Sequence, residues 1–170
     1  MNFRSYLKEF ENAAGSLNRN LLAQKELETE TGVWLESVVL RMHKKHWANK
    51  PLTQPQGDAA IFFSVWLNDK GVQGNKLLYN IHTLKLRQLK AYTLTSREFA
   101  AAFREQIKSD IDHWPNVSTN FGPLTLMEGW MHYDPADIAE SIYKLANQFL
   151  EIDSLIDGLL IKYKKPSSIL

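Results

Sequence analysis

The chain has 170 residues, 44% hydrophobic and 23% charged, with a formal net charge of +1 and no cysteine. That length and balance suit one ordinary globular domain with a core of its own and exclude fibrous or disordered classes. The near-neutral charge argues against a protein that works mainly by neutralising many phosphates, and the missing cysteines remove disulfides, thiolate metal sites and cysteine nucleophiles.

In chain order, Phe3, Leu7, Phe10, Ala14, Leu17 and Leu21 fall at steps of four and three, which predicts one helix over 3–24. The acidic run ELETET (26–31) ends near Gly32, a breaker. Trp34, Leu35, Val38, Val39 and Met42 then restart a helical spacing, so 34–42 reads as a second helix. The segment NKPLTQPQG before Asp58 is a loop by its prolines and glycine.

AAIFFSVWL (59–67) is apolar on both alternating faces, as in a strand covered on both sides. NDKGVQGN (68–75) is rich in turn residues, and LLYNIHTLKLRQLK (77–90) follows as the partner strand, giving a hairpin over 59–87 with a long tip. In that partner strand Leu77, Tyr79 and Ile81 share one face and Asn80 and His82 the other. The apolar positions then change parity at Leu84 and Leu86, as a bulge, a strand end or a change of covering layer requires.

Thr95-x-x-Glu98 is a capping box ahead of a helix carrying Phe99, Ala102, Phe103 and Ile107. The stretch 114–131 reads as one or two short strands about a turn at Gly122-Pro123. Asp134-Pro135 caps a last helix reaching residue 161, and the tail beyond reads as frayed. The expected fold is a single α+β domain over 1–170. Its central antiparallel sheet, the hairpin 59–87 plus short strands in 114–131, is packed by N- and C-terminal helices.

Several residue groups are candidates for function. His43-Lys44-Lys45-His46 would place two imidazoles on one helix face, but the lysines repel a cation, so the stretch reads as a solvated helix end and no metal is assigned. His82 is a candidate base with Asn80 orienting a substrate and Asp58, Glu128 or His113 assisting. A metal-dependent nuclease would need a carboxylate two residues before Lys85, where Thr83 stands instead. Trp114, Phe121, Trp130 and His132, with His82, could line a ligand pocket or a partner interface. Lys85, Arg87, Lys90, Arg97 and Arg104 could hold a phosphate or a nucleic-acid backbone, although Glu98, Glu105 and Asp110 interleave with them.

No phosphate loop, dinucleotide fingerprint or nucleophile elbow occurs. No apolar run approaches the roughly 20 residues that span a bilayer, and the first residues lack a signal-peptide core, so a cytoplasmic protein is expected. The leading expectation is a non-catalytic domain without cofactor. It would bind a ligand or partner through the hairpin and the 114–133 segment, and would self-associate as a homodimer. The alternative is a small hydrolase or nuclease-like enzyme centred on His82, and a third reading is sequence-independent nucleic-acid binding.

Overall fold

The computed structural model describes residues 1–51 and 58–167; most of the proline-rich loop expected before Asp58 lies outside the described residues. The elements run α1 (Phe3–Ser16), α2 (Arg19–Gln24), β1 (Leu27–Trp34), β2 (Ser37–Lys44), β3 (Ala60–Leu67), α3 (Asp69–Gly74), β4 (Lys76–Leu84), α4 (Ser96–Gln106), β5 (Thr125–His132) and α5 (Ile138–Ile161). The strands form one antiparallel sheet in the order β1-β2-β3-β4-β5. The class is α+β with helices at both ends, as the sequence predicts. Among the described residues no helix is long and apolar enough to cross a membrane.

The largest departure from expectation is β1 and β2, where the spacing of Trp34, Val38 and Met42 suggests a helix. The period that wins is two: Val38, Leu40 and Met42 are fully buried on one face of β2, and Thr29, Thr31 and Val33 favour an extended chain in β1. Charged Glu28 and Glu30 suit β1 as an edge strand. Two residues, Leu35 and Glu36, close this hairpin with Trp34 paired to Ser37. Both have positive φ, 49° and 59°, the handedness that a tight two-residue hairpin demands and that side-chain-bearing residues resist.

Smaller corrections have local causes. The helix expected over 3–24 breaks at Leu17, which is extended, because the Asn18 side chain accepts from the Leu21 amide and starts α2 afresh. The tip between β3 and β4 is a helical turn, α3, capped by Asn68 and ended by left-handed Asn75. The last helix is capped by Asp137 rather than Asp134, which instead accepts from Ala136 in the turn before it. The tail is not frayed at its start: Lys164 bridges Tyr92, and Lys165 donates to the Ala91 carbonyl. The Thr95–Glu98 capping box is present in full.

β3 is the central strand, but among the described residues helices cover only one of its faces. Phe63, Val65, Tyr79 and Ile81 pack with Phe10 of α1, Phe99 and Phe103 of α4 and Phe149 of α5 in one core, whereas Phe62 and Ala60 belong to a separate small cluster on the opposite face. Phe63 stacks on Phe149 with centroids 4.4 Å apart, and each such ring contributes about 1.5–3 kcal/mol by burial. Tyr79 donates to the Pro115 carbonyl at 2.7 Å, its ring passing so close over β5 that a Cβ at Gly129 would lie 2.3 Å from its Oη.

A buried ionic network fastens α5 to the end of β2. Asp153, 1% exposed, meets Lys25 at 2.8 Å and Lys44 at 2.7 Å, while Asp157 receives Lys44, His46 at 2.8 Å and the Trp47 indole N–H at 2.7 Å. The 43–46 stretch is therefore divided: His43 and Lys44 end β2 and are each 5% exposed, whereas Lys45 and His46 are exposed in a short helical turn over Lys45–Trp47. Lys44 needs two carboxylates because an uncompensated ammonium there would be very costly.

Candidate functional site

The uncovered face of the sheet carries a polar row that crosses all five strands. Glu30 pairs with Arg41, Arg41 with Ser64, Ser64 with Asn80 and Asn80 with Glu128. Residues directly opposite one another in antiparallel strands share a face and interact, so the five side chains form one ladder. An apolar row, Gly32, Val39, Trp66, Leu78 and Trp130, runs beside it by the same register. On its other side lie Phe62, His82 and Thr125.

Contacts along the row fix most of these groups. The Arg41 guanidinium carbon lies 4.2 Å from the Trp34 ring centroid and 5.2 Å from that of Phe62. Gly32 makes the first contact possible, since a Cβ there would sit 2.7 Å from the Trp34 ring. Ser64 donates to Asn80 Oδ1, and Asn80 Nδ2 donates to Glu128 Oε2 at 3.4 Å, so both ends of the amide are assigned. His82 Nδ1 lies 3.2 Å from the Leu124 carbonyl and 3.3 Å from the Thr125 hydroxyl; a carbonyl only accepts, so the tautomer that bonds it carries its proton on Nδ1 and leaves Nε2 as the basic nitrogen.

Burial tunes the charges. It holds His82 below its usual range, against the Leu124 hydrogen bond and the Glu128 charge. It raises Glu30 despite the opposing pull of Arg41. Glu30 Oε2 and Trp66 Nε1 are buried without a hydrogen-bond partner among the described residues, a state that costs about 1–3 kcal/mol for each group. Above the row opens a shallow recess of about 420 Å³ whose wall includes Trp34, Phe62, Trp66, His82 and Glu128. Leu35, 84% exposed on its hairpin turn, stands at the rim.

Of the candidate catalytic residues, the structure brings together His82, Asn80 and Glu128. Asp58 lies outside, 3.2 Å from Lys50, and His113 sits in a helical turn before Trp114. The proposed ligand cluster is dispersed. Trp114 is core, packed on Phe63 and Tyr79, and Phe121 sits in a turn. Trp130 meets His132 and Lys76 near the far end of β5.

Among the basic residues, Lys85, Arg87, Lys90 and Arg97 are exposed. Arg104 instead donates to the carbonyls of Phe121, Gly122, Thr125 and Leu126, holding the turn that leads into β5. His43 and His46 turn to different acids, Glu28 and Asp157, and no group of three or more potential metal ligands occurs among the described residues.

Arg41, Trp34, Phe62, Ser64, Trp66 and Glu30 are the site residues that the sequence reading missed. Five of them lie on β1 and β3, where the alternation Glu28, Glu30 against Thr29, Thr31 and the single serine in an apolar strand were the available signals. No protein-family model matches this chain, no curated protein matches its sequence, and no solved structure matches it.

Proposed function

We propose that this is a non-catalytic binding domain whose working surface is the uncovered face of the sheet, and that the occupant is a protein partner. An antiparallel sheet can leave one face to water, but that face is then ordinarily polar. Here it presents Trp34, Phe62, Trp66 and Arg41, the residue types that dominate interface energetics when a partner excludes water from them. The observation that carries this reading is that two polar atoms on this face, Glu30 Oε2 and Trp66 Nε1, are buried with no hydrogen-bond partner among the described residues. The left-handed backbone that holds exposed Leu35 at the rim points the same way, since strain of this kind gathers where a contact is made.

An enzyme is the second reading, favoured by His82 and Glu128 lining one recess. The recess is shallow and open, so it would not exclude water from a reaction, and Asp58 and His113 do not join it. Substitution tests the binding reading: capture of a partner from extract should be abolished by W66A and by N80A and kept by E151A on the helical side. Capture that survives both face substitutions would contradict it.

A further inference from the structure

Resting on that reading, we infer that the partner is a second copy of this chain, packed sheet on sheet about a dyad that runs parallel to the strands between β3 and β4. The argument is the order of charges along the polar row: negative at Glu30, positive at Arg41, neutral at Ser64 and Asn80, negative at Glu128. A dyad running across the strands would set each residue on its own copy, Arg41 on Arg41 and Glu128 on Glu128. A dyad along β3 would set Glu30 on Glu128. A dyad between β2 and β3 would offer no opposite pair, and one between β1 and β2 would set Glu30 over Arg41 but overlap only those two strands. Moved between β3 and β4, it overlaps β2 through β5 and sets Arg41 over Glu128 twice, with Ser64 over Asn80 twice. Stacked sheets lie about 10 Å apart, a gap that an arginine and a glutamate reaching from opposite layers bridge.

The neighbouring rows agree. The same dyad lays Trp66 on Leu78 and Val39 on Trp130, large on smaller in each pair, and Phe62 on His82. It also accounts for the Glu30 oxygen, Oε2, that has no hydrogen-bond partner among the described residues. Ser118 bridges Glu128 at the outer edge of β5, donating its amide at 2.8 Å and receiving that of Glu128 at 3.0 Å. It thus occupies the next position along the row, and the dyad brings it opposite Glu30 of the other copy. The Ser118 hydroxyl oxygen accepts from the Asn120 amide, which leaves its proton free to be donated to Glu30 Oε2.

Sedimentation equilibrium at micromolar protein tests the pairing. The wild-type chain should show the mass of two chains. R41E and E128R, each verified as folded by circular dichroism, should each weaken association about 100-fold, because like charges then meet twice. An equimolar mixture of the two should regain the two-chain mass, because the introduced glutamate of one faces the introduced arginine of the other. If R41E does not fold, R41Q replaces it, with about tenfold weakening expected. A wild-type mass of one chain, or folded single variants that still pair, would overturn the inference. So would a mixture of folded variants that stays monomeric. A monomeric wild type that still cross-links to a different protein through Leu35 would overturn self-pairing alone; no cross-link of either kind would overturn the binding reading with it.

Discussion

Arg41 sits over Trp34, its guanidinium carbon 4.2 Å from the indole centroid, and the contact depends on a third residue. Gly32, two residues before Trp34 on the same face, leaves the space into which the ring folds back. G32A would push the ring out, since its Cβ would lie 2.7 Å from the ring. The indole is the mobile end of a side chain, so the stability loss should stay within about 1 kcal/mol, the scale of an exposed cation–π contact. Iodide quenching of tryptophan fluorescence should rise. A large loss of stability with unchanged quenching would show that the ring cannot move.

The ionic network beneath α5 makes a different prediction, because it is buried. D153N removes one of the two carboxylates that hold Lys44, which is 5% exposed, and the one that holds Lys25. Breaking a buried pair from one side is worth about 3 kcal/mol, and the urea midpoint should fall accordingly. The double variant D153N/K44M should recover part of that loss, since it leaves no lone ammonium inside. A loss below about 1 kcal/mol in D153N would mean that Asp157 suffices for Lys44.

Much of the fold is legible in the residues themselves. The stripe of α1, the capping box at Thr95 and the strand over 60–67 each follow from local chemistry, although the apolar run of β3 predicts cover on both faces and helices pack on one, and the parity change after Ile81 coincides with a register shift between Ile81 and His82. What is not legible is β1 and β2, where Val38, Val39 and Met42 satisfy a helical and an alternating pattern at once and only pairing with β3 decides between them. That single ambiguity hides half of the site. Asn80 and His82 are visible on one face of β4, but Arg41 and Trp34 join them only once β2 is a strand. Burial on the open face is equally invisible, because it comes from neighbours brought in by the sheet.

Stability should depend on pH with a definite sign. Burial lowers His43 and His82 from the usual 6.5. A folded value below the unfolded one means that their contribution is complete above about pH 6.5 and is lost as pH falls through the lowered values. Glu30, raised by burial from 4.5, works in the opposite direction over the window just above that value. For Lys44, burial is outweighed by the hydrogen bonds to Asp153 and Asp157, which raise it above 10.5, so its contribution holds below that pH and is lost above. Urea midpoints should therefore hold a plateau from about pH 7 to 10. H82N, whose amide can still donate to the Leu124 carbonyl, should flatten part of the acid limb; an unchanged limb would mean that His82 is not buried as described.

The most direct measurement of the central claim is photo-crosslinking from Leu35, which is 84% exposed and sits at the rim of the recess. A photoreactive amino acid at position 35 should trap one discrete protein in the cells that make this chain, and the same group in place of Glu151 on α5 should trap none. The trapped product should disappear when W66A is added. A product that persists with W66A, or the same product from position 151, would contradict the assignment of the open sheet face as the binding surface.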